Sequence, residues 1–304
     1  MLSLSHRQCW AVIAVPLFLF LIPAHGQEKP SFTYRRTAAE VRLTFIASQN
    51  QKDFDSLKAD DFAIVDRDVI VRDFRSFGRT RQMKADVMIL LDCSESVERR
   101  VQQEMQEVMR LLQESHWLEE DNISVVSFAG VQTKILCAGN CRTWAWSKSL
   151  PQPSAAGATP LFDAVVFAAE VLSRRSDPDY RSVLIVFSDG SDTISRHSLS
   201  EAIEKALKAE IQIYTVEAAP PGRSRQGAEV LREMASITGG QSFVASEATE
   251  TMLGRVFDDL RFSYVVTYSV PTQVAGFHEL RILPTLNLNL EFRSRQGYFY
   301  PGTN

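Results

Sequence analysis

The stretch Ile89-Leu90-Leu91-Asp92-Cys93-Ser94-Glu95-Ser96 decides how this chain is read. An apolar run ends in an acidic residue, and small polar residues follow at once. Val183-Leu184-Ile185-Val186-Phe187-Ser188-Asp189-Gly190 repeats the pattern further along. In an α/β sheet such runs are buried parallel strands that deliver side chains to their C-terminal ends, where these folds place ligand sites. Between the two, Gly157-Ala158-Thr159-Pro160 adds a further hydroxyl. Asp92, Ser94, Ser96, Thr159 and Asp189 together offer two carboxylates and three hydroxyls at one predicted sheet edge. This is a hard-cation ligand set without His or Cys. Mg²⁺ suits it best, with Mn²⁺ or Ca²⁺ as alternatives.

Each of these residues also has a plainer reading. Ser94, Ser96 and Thr159 stand where helices are predicted to begin, and N-caps favour Ser and Thr. Asp92 would cap the same helix, and Asp189-Gly190 would be a turn. For that reading to hold, five separate coincidences must fall at the same edge.

The runs DCSES, GATP and FSDG, in this order, resemble the metal-ion-dependent adhesion site of von Willebrand factor type A domains. That site reads Asp-x-Ser-x-Ser, then a distant Thr, then an Asp after a later strand. The resemblance covers residues 84–262. It implies that the two serine hydroxyls bind the metal directly, and that the acidic residues act directly or through water. Thr159 would be the ligand whose distance changes as the site opens. One coordination position would be left for an Asp or Glu of a protein partner. The resemblance also implies a last helix, here Glu247 to Arg261, that shifts when the site closes on ligand. That helix runs into the strand at Tyr264 with no Gly/Pro linker between Leu260 and Val270, so displacement is expected to pass on. Upstream, Leu57-Lys58-Ala59-Asp60-Asp61-Phe62-Ala63-Ile64-Val65-Asp66 resembles the module that leads such domains in a family of bacterial secreted proteins.

The middle of the chain alternates predicted strands and helices. Val87 to Leu91 is a strand, and Val97, Val101, Met105, Val108, Met109 and Leu112 follow a helical period. Ile123 to Phe128 is a strand, and Thr133 to Leu136 a short edge strand. Pro160 opens a helix with Thr159 as its N-cap. Val183 to Phe187 is a strand, and Ser198-Leu199-Ser200-Glu201 is a capping box for a helix to Ala209. Ile211 to Val216 is a strand, Ala228 to Thr238 a helix stopped by Gly239-Gly240, and Gln241 to Val244 the last strand of the series. The fold class expected is α/β: a doubly wound, mostly parallel sheet covered on both faces.

The flanks read differently. Val41, Leu43, Phe45 and Ala47 alternate with Arg42, Thr44 and Ile46, and a second β stretch runs from Phe62 to Val71. Tyr264, Val266, Tyr268 and Val270 alternate in the same way, as do Leu286, Leu288, Leu290 and Phe292. Segments 27–79 and 263–304 are each too short for a comfortable domain. Together they have the size of an immunoglobulin-like sandwich. The expected organisation is a signal peptide over 1–26, half a β-sandwich over 27–79, the α/β domain over 84–262, and the second half over 263–304.

With 304 residues and a formal charge of −4, the chain has no basic tract that would suit nucleic acid. Arg7, the apolar run Trp10 to Ile22 and Ala24-His25-Gly26 read as a secretory signal, cut near Gly26–Gln27. The run is short for a membrane span and holds Pro16. The alternative is an uncut anchor. Removing Arg7 leaves 32 basic against 37 acidic residues, a charge of −5. Secretion, or residence in the periplasm or cell envelope, follows. Export permits a disulfide, and Cys137 and Cys141 in CAGNC are the evident pair. Cys93 then stays a small core residue.

Other residues carry less. Trp144 and Trp146 either line a partner surface or anchor a loop. His197 near Asp192 reads as a solvated loop residue, and His116 and His278 have no catalytic company. The function expected is a non-enzymatic binding or adhesion module for a protein partner presenting Asp or Glu. A metal-dependent hydrolase would need a general base or second metal site, for which no residue near the motifs qualifies. A structural envelope component that keeps the motif without using it is the third reading.

Overall fold

The computed structural model describes residues 39–50, 52–81, 83–113, 117–143, 151, 156–175, 179–217, 225–244 and 249–302. The expected signal segment 1–26, His116, Trp144 and Trp146 lie outside the described residues. The described elements begin with β1 (Glu40–Gln49), β2 (Lys52–Asp53), β3 (Phe62–Asp66), β4 (Val69–Val71) and β5 (Ser76–Arg79). Then come β6 (Lys84–Asp92), α1 (Val101–Gln113), β7 (Asn122–Ala129), β8 (Gln132–Cys137) and α2 (Leu161–Arg174). They are followed by β9 (Tyr180–Ser188), α3 (Leu199–Lys208), β10 (Gln212–Glu217), α4 (Arg225–Thr238), β11 (Ser242–Val244) and α5 (Thr249–Phe262). β12 (Tyr264–Ser269), β13 (Gly276–Pro284), β14 (Leu290–Ser294) and β15 (Gly297–Tyr300) close the series.

The central sheet has the order β11-β10-β9-β6-β7-β8. All its pairings are parallel except β7 with β8. β6 shows why its sequence is continuously apolar. Val87, Ile89 and Leu91 pack on one face with α1 and α5, and Met88 and Leu90 pack on the other with α2, α3 and α4. A strand buried on both faces cannot alternate with polar residues.

Among the described residues as a set, however, antiparallel pairings predominate, because both remaining sheets are antiparallel. One has the order β14-β1-β12-β5 with β2 beside β1, and the other β15-β13-β3-β4. Val41, Leu43 and Phe45 of β1, Ile64 of β3, Val266 and Tyr268 of β12, and Leu280 of β13 share one apolar core. β1 is paired on both sides by late strands, with Val41 opposite Tyr268 and Ala47 opposite Phe292. β3 and β4 are joined through Arg67 and Asp68, whose φ values of 45° and 69° give a two-residue hairpin turn that matches strand twist.

One expectation needs correction, and one strand had no expectation at all. The alternation from Leu286 to Phe292 is not one strand, since β14 begins only at Leu290. The Asn287 side chain accepts from the Asn289 amide and its carbonyl from the Leu290 amide, a local turn that breaks the strand. Leu286 and Leu288 are consequently 73% and 76% exposed. β13 carries the pairing to both β3 and β15, although its residues stood out in no pattern.

Cys137 and Cys141 are bridged, and Cys93 is buried and free. The bridged loop is pinned to β7, where the Ile123 amide donates to Gly139 and the Gly139 amide donates to Ser124. Among the described residues no helix is long and apolar enough to cross a membrane.

Candidate functional site

β6 and β9 are parallel neighbours with Leu91 opposite Phe187, so the residues after each strand emerge side by side. Asp92 Oδ2 accepts from the Ser188 hydroxyl at 2.7 Å, and Oδ1 accepts from the Ser94 amide at 2.9 Å. Ser188 in turn accepts from the Gly190 amide at 3.1 Å. Asp189 Oδ1 accepts from the Ser191 amide at 2.9 Å, which leaves its other oxygen free of that turn. Asp92, Ser94, Thr159 and Asp189 are buried, and Ser96 is half-buried. The Ser94 and Ser96 hydroxyls lie 2.9 Å apart.

The capping reading fails for Ser94. It precedes the single helical turn Glu95–Val97, yet its side chain makes no cap hydrogen bond. Ser198 shows what a cap looks like here: its hydroxyl accepts from the Glu201 amide, and the Glu201 carboxylate accepts in return from the Ser198 amide.

Thr159 is not the N-cap of α2, which starts at Leu161 after Pro160. The first amides of α2 are held from the loop after β9 instead. Phe162 donates to Asp192 and Asp163 to Ser195, each at 3.0 Å. The loop before Thr159 is fixed by the neighbouring strand ends. Ala156 donates to Cys93, Glu95 to Gly157, and Gly130 to Ala158. Thr159 itself exchanges bonds with Thr193 through its amide and carbonyl. Backbone contacts alone therefore place it, and its hydroxyl takes no part in the cap. His197 belongs to this loop too, but its partner is Asp163 at 2.7 Å rather than Asp192.

Gly190 and Gly227 make the Asp189 turn possible. A Cβ on Gly190, whose φ is 78°, would lie 2.1 Å from the Gly227 carbonyl oxygen. One on Gly227 would lie 2.2 Å from the Asp189 carbonyl oxygen. The two backbones touch where α4 begins.

Electrostatics set this edge apart. Burial pushes the Asp92 carboxyl up to about 6, although the Ser188 hydroxyl and Ser94 hold it down, and the Asp189 charge adds to the rise. Burial likewise pushes the Cys93 thiol up to about 12, with Asp92 and Glu104 adding to it, which suits an inert core residue rather than a nucleophile. Two residues here escaped the sequence reading. Ser188 orients Asp92, and the only signal for it was its place beside Asp189. Glu104 of α1 is buried among apolar neighbours, and the signal was its position on the same helix face as Val101, Val108 and Leu111.

The arrangement fits a hard dication. Asp92, Ser94, Ser96, Thr159 and Asp189 supply only oxygen donors, and a cation would offset the burial that disfavours the charged form of Asp92. Among the described residues no three His, Cys, Asp or Glu side chains gather into a metal cage, so the hydroxyls are needed to complete any ligand set.

His278 belongs to a structural cluster in the antiparallel part of the chain. Its Nδ1 lies 2.9 Å from Asp66, its Nε2 donates to the Val274 carbonyl, and Tyr268 and Tyr298 both donate to Asp66. This fully buried cluster ties β3, β12, β13 and β15 together.

Residues 86–259 match the von Willebrand factor type A domain family. No curated protein matches the chain. Among solved structures, BatB, a conserved hypothetical protein from Bacteroides thetaiotaomicron, is similar at 17% identity and a TM-score of 0.41, over 58% of this chain and 97% of that one. An aerotolerance-related membrane protein from Bacteroides fragilis gives 17% and 0.40, over 58% and 98%. Proximal thread matrix protein 1 from the mussel byssus gives 15% and 0.48, over 64% of this chain and 50% of that one.

Proposed function

Because the chain belongs to the von Willebrand factor type A family, whose domains are generally non-enzymatic interaction modules, we propose that it is a protein-binding, adhesion-type module. In this reading Asp92, Ser94, Ser96, Thr159 and Asp189 hold one Mg²⁺. The bound cation supplies a Lewis-acidic position for an Asp or Glu of a protein partner. Ser188 and the Ser94 amide fix the Asp92 carboxylate, the Ser191 amide fixes Asp189, and the loop bonds of residues 156–159 set the height of Thr159. The observation that carries the reading is the convergence of two buried carboxyls at neighbouring strand ends, Asp92 held by the Ser188 hydroxyl and Asp189 by the Ser191 amide, with the Ser94 and Thr159 hydroxyls, neither of which caps a helix.

The same reading places the protein outside the cytoplasm, secreted or in the cell envelope, after removal of residues 1–26. Residues 27–79 and 263–304 then form one immunoglobulin-like domain into which 84–262 is inserted. Calorimetric titration with Mg²⁺ tests the site: one ion binds per chain, and Asp92→Ala abolishes binding while the circular dichroism spectrum is kept. Equal binding by both proteins would refute it. An interaction screen of the exported protein with Mg²⁺ and with chelator then identifies the partner.

A further inference from the structure

Glu104 stands in the first turn of α1 with its side chain inside the protein. It is 2% exposed, and neither carboxyl oxygen has a hydrogen-bond partner. Buried carboxyls are ordinarily paired or hydrogen-bonded. Its neighbour Glu107, also buried, accepts from Gln103. Val101, Val108 and Leu111 on the same face pack into the core beneath the site, so the helix cannot turn Glu104 outward without exposing them.

The surroundings of this carboxyl point towards the cation site. Burial pushes it up to about 8. Asp92 is the next largest influence, and Glu107 and Asp189 add to it against the opposing Arg100. The same carboxyl acts on Cys93, inside the DCSES run. Asp92 at the end of β6 and Asp189 after β9 thus both act on the carboxyl of α1, and Arg100 opposes them. The three are not close enough to share an ion as direct ligands.

We propose that Glu104 is an outer carboxylate of the cation site, acting on the bound dication through its field and an intervening water. This rests on the reading of Asp92, Ser94, Ser96, Thr159 and Asp189 as the ligand set. Partners beyond the direct ligands orient and tune metal sites, and their loss commonly costs 10–100-fold in affinity. Ligand charge count has the same effect in oxygen-ligated sites. A third negative charge tightens the hold on the cation and lessens the positive character left for an incoming acidic side chain. Glu104 is therefore a positioning residue that trades fold stability without the ion for ion affinity.

The test is a calorimetric titration of the full chain with Mg²⁺ alone, paired with thermal melts in chelator. Glu104→Gln keeps the shape and removes the charge, and Glu104→Leu continues the apolar face of α1. Both are expected to weaken Mg²⁺ binding at least tenfold and to raise the melting temperature in chelator, which also shows that they fold. Glu98→Gln removes a charge from an exposed position nearby and is expected to leave the affinity unchanged. Wild-type affinity retained in both Glu104 variants would overturn the proposal and leave Glu104 as a neutral acid filling space. So would an equal loss in Glu98→Gln, since the effect would then be general charge. If the wild type itself binds no Mg²⁺, the ligand set is wrong, and this inference falls with it.

Discussion

Arg293 of β14 donates to Asp259 of α5 at 2.6 Å, and this pair fastens a strand of the antiparallel part to the last helix of the α/β part. Asp259 also accepts from the Tyr214 hydroxyl at 2.8 Å, and Arg293 donates to the Gly239 carbonyl. Close by, the buried Arg181 guanidinium donates to the Asp259 carbonyl and to Ser263. Ser263 is the single residue between α5 and β12. A helix held at its end by so many bonds cannot slide without disturbing β14.

Arg293→Ala should therefore destabilise the protein. Asp259 is nearly buried while the Arg293 side chain is 31% exposed. The loss falls below that of a fully buried pair, at about 2 kcal/mol. Urea unfolding measures it, and a change within error of zero would mark the pair as a solvated surface contact.

The cation-free protein should be more stable at pH 5 than at pH 8. Asp92 is raised from 3.8 to about 6 and Glu104 from 4.5 to about 8 in the folded chain. Groups raised on folding bind protons more tightly in the native state. Their contribution is complete at low pH and is lost as pH rises through those two values, a change on the order of a few kcal/mol. Saturating Mg²⁺ should flatten this slope. Melting temperatures in chelator that rise from pH 5 to pH 8 would contradict it.

Gly190→Ala should abolish Mg²⁺ binding and cost about 3 kcal/mol or more, because the new methyl meets the Gly227 carbonyl and φ is positive. Gly78→Ala, where a Cβ meets nothing within 4 Å, is the control and should change neither property. Comparable behaviour of the two variants in calorimetry and melts would argue against a tight contact between Asp189-Gly190 and α4.

Deleting residues 263–304 removes β12 and β14 from β1 and leaves it only the two-residue β2. Residues 39–79 should then be cut by a low dose of protease, while 84–262 persist. Protection of residues 39–79 in that digest would show that they fold without the C-terminal strands.

The central sheet was legible because β6 and β9 are apolar throughout and end in Asp92 and Ser188-Asp189, a pattern written in consecutive residues. Of the five proposed ligands, Asp92, Ser94, Ser96 and Asp189 stand at or just after these two strand ends, whereas Thr159 lies in the separate GATP run. Glu104 was not legible, since counting the apolar positions of α1 leaves a charged residue to solvent by default, even on the buried face. The His278–Asp66 pair joins positions 212 apart and leaves no local trace. Leu286 and Leu288 misled in the opposite direction: their alternation is real, but one Asn287 side chain outweighs it.

Tyr264 follows Gln49 by 215 positions, although β1 pairs with β12 as its neighbour. At ribosomal speed, about 10–40 seconds separate the birth of β1 from that of β12, and β14 comes later still. Throughout that interval β1 is an apolar strand paired only at its end, by the two-residue β2, the kind of segment that recruits strands from other chains. The α/β part has its own cores and is complete before β12 exists. Folding order is thereby imposed by connectivity: the middle of the chain closes first, and its first strand waits for the last. Substitutions that make β1 stickier should show up as lost yield during biosynthesis, with little change in the finished molecule's melting temperature.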